Sequence, residues 1–291
     1  MSRIRKTAVV TTFSRAGYDL YAQRMMASWS KHWPAGVDLY VYPDELTPLP
    51  NDRRVRGVYD RMPEKDAFLR RYGRSAAYTG NLSSGYDYRF DAVKFCHKPF
   101  CIQDIMRRSS NHSNPYESLI WLDADTLTHS PVTMQAVYDM TPPEYDVMYL
   151  GRCYKYTECG FLYFNLMRKN ARDLIDTWVN YYTEGTFRAE RECHDSYLFD
   201  RARDQMGDRL NGKNLTGHLP RRKGAGHPMI NSFLGEYFDH LKGNARKITG
   251  KPRKNDLFVE HQSDYWKENS HAKDRRTDKP QRPATPTQEG S

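Results

Sequence analysis

From Thr7 to Phe13 the chain reads TAVVTTF, an apolar-rich run that predicts a buried first strand. Apolar positions then recur at helical spacing through YDLYAQRMMASWSKHW, residues 18–33, and VDLYVYPDE alternates as a second strand ending at Pro43 and Asp44. This β-α-β opening predicts an α/β fold with a mostly parallel sheet and helical crossovers. Residues 46–88 are polar, rich in Arg and Gly and weakly periodic, which reads as a variable insertion or loop region. A helical pattern resumes over DAVKFCHKPFCIQDIMRR, residues 91–108, and the breaker-rich SSNHSNPYE follows. Next comes SLIWLDADTLTHSPV, residues 118–132, an apolar strand that ends in two aspartates, with VTMQAVYDM as a short helix behind it. DVMYLGR and CGFLYFNL read as two further strands, NARDLIDTWVNYYTEG as a helix, and HDSYLFDRARDQM as the start of another. After Leu215 the chain turns basic and Gly-rich, and from Lys267 onward it has almost no apolar residues. The pattern therefore predicts one domain over residues 1–266 and a disordered polar tail over residues 267–291.

The 291 residues suffice for one large domain or two small ones, and a mean hydropathy of -0.87 fits a soluble protein. No run approaches the roughly 20 apolar residues that span a bilayer, and the start MSRIRKTAVVTTFSR has too short an apolar stretch for a signal peptide. The expectation is a cytoplasmic protein with no membrane insertion. The five cysteines follow neither a zinc spacing nor a small disulfide framework, so reduced thiols are expected. Lys and Arg number 45 against 36 for Asp and Glu, a formal charge of +9. That excess favours polyanionic partners without identifying one.

Candidate chemistry centres on Asp123 and Asp125, which flank Ala124. In a strand, residues i and i+2 share a face, and a bend at the strand's end lets both carboxylates approach one cation. Open parallel sheets place ligands beyond the carboxyl ends of their strands. Two hard oxygen ligands leave positions for water and phosphate oxygens, which suits Mg²⁺ or Mn²⁺. Aspartates also cap helices and make turns, so the pair alone does not decide between structure and chemistry.

WLDADT, with the β-α-β opening before it and ECGFLYFNL and HDSYLFD after it, resembles the nucleotide-sugar-dependent glycosyltransferases of the GT-A fold, most nearly the pattern of glycogenin and the related galactosyltransferases. In that pattern the D-x-D is followed by an N-S-G-V-x-x-F-N-like strand, then D-Q-D-x-x-N, then a late H-x-x-G-x-x-K. Here Glu158, Cys159 and Gly160 replace Asn-Ser-Gly, and HDSYLFD offers Asp195 and Asp200. HLKGNARK keeps His240 and Gly243 at the family spacing, with Arg246 where Lys is usual and Lys247 behind it. The resemblance implies a Rossmann-like GT-A domain that uses Mn²⁺ or Mg²⁺ and a UDP-sugar. It implies Asp123, Asp125 and His240 as metal ligands, with Gly243, Arg246 and Lys247 beside the diphosphate. It implies a nucleoside pocket at Thr11, Thr12, Phe13 and Asp44, and contacts to sugar or phosphates from Arg89, Asp91 and Lys94, although Asp91 serves equally well as a helix cap. For the chemical step it points to Asp195, with His194 and Glu158 behind it; capping is the alternative for Asp195.

The acceptor stays open. Arg and Lys clusters at residues 53–56, 70–74 and 219–254 would form a track for a phosphate backbone if they converge beside the sugar site. That suggests DNA as partner, with a hydroxymethylated pyrimidine as acceptor, as in the glucosyltransferases that make base J or decorate phage genomes; the base would have to be flipped out. A saccharide, lipid or protein acceptor is the alternative. Two readings of other classes are a metal-dependent nuclease or phosphodiesterase and a non-catalytic nucleic-acid-binding module. A nuclease would need further acidic ligands at the first strand, and VVTTF supplies none.

Overall fold

The computed structural model describes residues 5–219, 226–252 and 256–268. Its strands are β1 (Thr7–Phe13), β2 (Val37–Pro43), β3 (Val55–Gly57), β4 (Asn81–Leu82), β5 (Gly85–Tyr86), β6 (Ser118–Leu122), β7 (Thr126–Thr128), β8 (Val147–Arg152), β9 (Lys155–Asn165), β10 (Gly212–Asn214) and β11 (Phe238–His240). Its helices are α1 (Arg15–Gly17), α2 (Gln23–His32), α3 (Pro63–Tyr72), α4 (Ala92–Phe95), α5 (His97–Ser110), α6 (Met134–Met140), α7 (Lys169–Thr183), α8 (Asp195–Met206), α9 (Asn244–Thr249) and α10 (Asp264–Glu268). Seven strands form one sheet in the order β10-β8-β9-β6-β1-β2-β3. β1 pairs parallel with β2 and β6, β2 with β3, and β8 with β10, whereas β9 runs antiparallel between β6 and β8. The fold is thus α/β with a mostly parallel mixed sheet, as the opening pattern predicts.

Helices cover both faces, which is why β1 and β6 read as nearly continuous apolar runs. Alternation sorts the strand residues between two cores. Ala8, Val10, Leu119 and Trp121 join one core with residues of α5, α7 and α8; Val9, Leu39, Ile120 and Leu122 join the other with residues of α2 and α6. Helix starts follow local chemistry: Thr133 caps α6 by accepting from the Ala136 amide at 3.1 Å.

Residues 46–88 are more than a loop. Val55 enters the sheet through β3, and α3 buries Phe68 and Tyr72 against Tyr182 and Phe187. Two aromatics four residues apart make one helical face, a signal diluted by the charges around them. The helix expected over residues 91–108 is interrupted at Cys96, between α4 and α5. Pro99 follows, and without an N–H it cannot continue the bonding to Phe95. The boundary of the tail also moves, since Lys267 and Glu268 close α10; residues 269–291 lie outside the described residues. All five cysteines are free thiols. No helix among the described residues is long and apolar enough to cross a membrane.

Because β1, β2 and β6 run parallel, their carboxyl ends at Phe13, Pro43 and Leu122 lie along one edge of the sheet. The late segment returns to that edge through β11, which pairs antiparallel with β7 and sets His240 opposite Thr126. The amide of Leu241 bonds the Asp125 carbonyl at 2.9 Å, and Phe238 stacks on Trp33 with centroids 5.8 Å apart.

Candidate active site

A cavity of about 1080 Å³ opens at this edge. Asp123, the first residue past β6, donates its amide to the Gly160 carbonyl at 3.0 Å, and its own carbonyl accepts from Thr126 at 2.9 Å, a turn that aims both aspartates into the cavity. Asp123 Oδ1 accepts from the Trp121 indole at 2.7 Å. Asp125 Oδ1 lies 2.9 Å from His240 Nε2, and Asp125 Oδ2 lies 2.8 Å from Lys247 Nζ. The same His240 nitrogen is 3.7 Å from Asp123 Oδ2. Two carboxylates and one imidazole thus bring ligand atoms within 4.8 Å of one another, a donor set of two hard oxygens and one nitrogen that fits Mn²⁺ or Mg²⁺. Burial alone would raise the Asp125 carboxyl, but His240 and Lys247 outweigh it and hold it well below the usual carboxylate range. Burial opposes a charged His240 too, yet Asp125 raises its pKa above the ordinary imidazole value. His240 packs so tightly on Gly160 that a Cβ there would stand 2.7 Å from its ring.

Lys98, which the sequence reading passed over, occupies the centre of the site. Its buried ammonium lies 2.5 Å from Asp195 Oδ2 and 2.9 Å from Asp123 Oδ1, and it donates to the Cys159 carbonyl at 2.8 Å. Burial disfavours that charge, but Asp123 and Asp195 hold the ammonium above the ordinary lysine range. The available signal was a lysine on the face of α5 that also carries Cys101, Ile102 and Ile105, all buried.

Asp195 does not cap α8; His194 does, its Nδ1 accepting from the Tyr197 amide at 3.4 Å. Asp195 lines the cavity beside Lys98, which overcomes burial and keeps its carboxyl far below the usual range. His194 is ringed by Tyr88, Phe95 and Tyr156 and sits 3.0 Å from Glu192. Glu158 is 2.7 Å from Lys242 Nζ and 3.3 Å from Arg152; against burial, Lys242 leads the groups that hold its carboxyl down. Neither Asp195 nor Glu158 is a free base.

Of the residues expected at the nucleoside end, Thr12, Phe13 and Asp44 line the cavity. Thr11 does not: it sits fully buried within β1, its hydroxyl without a hydrogen-bond partner. Ala124, Arg89 and Lys94 also line the cavity. Asp91 instead caps α4, accepting from the Lys94 amide at 2.9 Å and from the Tyr86 hydroxyl at 3.0 Å. Arg246 is likewise absent from the cavity wall. Its guanidinium grips Asp239 through two bonds of 2.8 and 2.9 Å and donates to the His240 carbonyl at 2.7 Å, so it braces His240 from behind. Gly243 also stays off the wall; at φ 97° it makes the turn into α9 that a side chain would strain. Lys247 alone of that group reaches the site, its ammonium 4.6 Å above the Tyr21 ring.

The hairpin of β8 and β9 adds wall residues at and beside its turn that no periodicity announced, Arg152, Tyr154, Lys155 and Tyr156. The basic clusters at residues 53–56 and 70–74 do not line the cavity. Arg54, for one, is committed to Asp52, to the Ser30 and Trp33 carbonyls and to the Trp29 ring. Of the third cluster, Lys242 and Lys247 reach the cavity, while residues 220–225 and 253–255 lie outside the described residues.

No protein-family model and no curated protein matches the chain. Among solved structures it is similar to the glycosyltransferase GlyE of Streptococcus pneumoniae TIGR4, with a TM-score of 0.40 and 13% identity over 72% of this chain and 45% of that one. It is also similar to mouse xyloside xylosyltransferase 1 in its apo form, with a TM-score of 0.42 and 10% identity over 72% of this chain and 84% of that one. The chain thus spans under half the length of the pneumococcal protein.

Proposed function

We propose that the chain is a metal-dependent glycosyltransferase of the GT-A type, moving a sugar from a nucleotide-sugar donor to a hydroxyl acceptor; the resemblance of its motifs favours a UDP-sugar. The observation that carries this reading is the convergence of Asp123, Asp125 and His240 at the carboxyl edge of a mostly parallel sheet, with Lys247 on the same carboxylate. A cation held by those three residues would offer Lewis-acid stabilisation to a nucleoside diphosphate as it departs. The chain's own side chains do the rest. Lys242 and Lys247 bring ammonium groups to the diphosphate, while Thr12, Phe13 and Asp44 border the nucleoside. Asp195, kept anionic by Lys98, accepts hydrogen bonds from sugar hydroxyls and orients C1. Asp123, Asp125, Glu158 and Asp195 are all ion-paired. None of these four carboxylates is free to take the acceptor proton, which favours its passage to the departing phosphate oxygen and retention at C1; Asp44, which also lines the cavity, borders the nucleoside in this reading.

The rim carries Lys94 and Lys155, neither with a carboxylate partner among the described residues, together with the exposed rings of Tyr88 and Tyr154. This combination suits a ring-bearing acceptor and keeps a hydroxymethylated pyrimidine in DNA as a second reading. A nuclease would need further acids at the end of β1, where Thr12 and Phe13 stand. The test is nucleotide release from a panel of nucleotide sugars with Mn²⁺, offered saccharides, plain DNA or hydroxymethylated DNA, with the product anomer read by NMR. The expected result is Mn²⁺-dependent release that the double variant Asp123→Ala/Asp125→Ala loses. Release that survives both a chelator and that variant would refute the metal-dependent reading, and DNA cleavage would replace it with the nuclease.

A further inference from the structure

One buried carboxylate in the cavity has no part in the chemistry proposed above. Glu158 is 3% exposed, and four groups face it. Lys242 Nζ and Arg152 lie 2.7 and 3.3 Å from Oε2, His227 Nε2 lies 3.8 Å from Oε2, and His240 Nδ1 lies 3.9 Å from Oε1. Both imidazole nitrogens are buried without a hydrogen-bond partner. The surroundings restrict both rings. His227 Nδ1 accepts from the Met229 amide at 3.3 Å, which leaves its proton on the nitrogen facing Glu158. His240 is wedged on Gly160, where a Cβ would stand 2.8 Å from Nδ1, and it meets the His227 ring at 87° with centroids 4.8 Å apart.

We propose that Glu158 is a positioning residue for His240: its Oε1 faces Nδ1 from 3.9 Å, beyond hydrogen-bond reach in this structure, and with Gly160 beneath the ring it keeps the opposite nitrogen, Nε2, turned toward the cation shared with Asp123 and Asp125. This rests on the reading of those three residues as ligands. A metal-bound imidazole typically donates its other N–H to a carboxylate, which fixes the tautomer and the ring's orientation and raises its basicity. Lys242 and Arg152 anchor Glu158 Oε2, leaving Oε1 to face His240. Glu158, His227 and His240 are also close enough to seat a cation of their own. Two positive side chains already on Glu158, and a His227 whose Nδ1 is already an acceptor, disfavour that arrangement.

The test is Mn²⁺ binding to the full chain, followed by electron paramagnetic resonance of the free ion, alongside UDP binding without metal. The wild type should bind one Mn²⁺ and Asp125→Asn should lose it. Glu158→Gln should raise the Mn²⁺ Kd by about 10–100-fold, while metal-free UDP affinity changes far less. Glu158→Asp, which keeps the charge, should fall between wild type and Glu158→Gln, and it decides the matter if Glu158→Gln fails to fold. Unchanged Mn²⁺ affinity in both Glu158 variants, with Asp125→Asn inactive in binding, overturns the inference and leaves the cation site standing. Mn²⁺ retained by Asp125→Asn overturns the cation site itself. Two bound ions, one of them lost in His227→Ala, would overturn the inference in favour of a separate cation seat.

Discussion

The inner wall of the cavity and the lysines of its outer rim hold their charges in opposite ways. Inside, Lys98 spans Asp123 and Asp195, His240 and Lys247 hold Asp125, and Lys242 and Arg152 hold Glu158. At the rim, Lys94 and Lys155 have no carboxylate partner among the described residues, and Tyr154 is 75% exposed at φ 60°, the one non-glycine residue described with a positive φ. A buried, paired network costs too much to rearrange for each substrate, so its pattern of charge is fixed before anything binds. Lys94, Lys155 and the exposed rings of Tyr88 and Tyr154 impose little geometry and can be altered without disturbing the core. The contrast assigns fixed chemistry to the inner wall and adaptable recognition to the rim.

The comparison is broken most directly at Lys98. Lys98→Met leaves Asp195 and Asp123 facing each other without their cation, and it should cost about 3–5 kcal/mol of stability, the scale for removing one partner of a buried ion pair; adding Asp195→Asn should restore part of the loss in denaturant unfolding. A variant as stable as wild type would mean that the network is not the rigid element supposed here. Lys247→Ala should weaken nucleotide-sugar binding by about 10-fold, as expected for a lost charged hydrogen bond of roughly 1.5 kcal/mol. Isothermal titration with the donor checks this, and an unchanged affinity would move the diphosphate elsewhere. The smallest effect belongs to the rim. Tyr154→Ala with Lys155→Ala should change donor affinity by less than about twofold, as surface substitutions usually do, while lowering transfer to the acceptor. A large loss of donor binding would merge the rim with the inner wall.

Much of the scaffold was legible along the chain. The apolar runs of β1 and β6 and the alternation of β2 reflect burial against two helical layers, a property of the residues themselves. α3 was harder to read, because Phe68 and Tyr72 sit among Glu64, Lys65, Asp66, Arg70 and Arg71. Several candidate residues were misplaced for one reason: spacing does not say where a side chain is spent. Asp91 and Asp195 each begin a helix, yet Asp91 caps its helix while Asp195 leaves capping to His194 and pairs with Lys98. Arg246 and Lys247 are adjacent, and the helix they share turns one toward Asp239 and the other toward Asp125.

By itself the sequence determined that an apolar strand would carry Asp123 and Asp125 to the carboxyl edge of a parallel sheet, because hydrophobic period and strand alternation are local properties. Only the tertiary structure decided which distant groups meet those carboxylates. His240 arrives by the pairing of β11 with β7, and Lys98 by the packing of α5 against the sheet. The first contact joins residues 115 apart in the chain, and both rest on the need of each buried charge for a partner, which one-dimensional spacing does not encode.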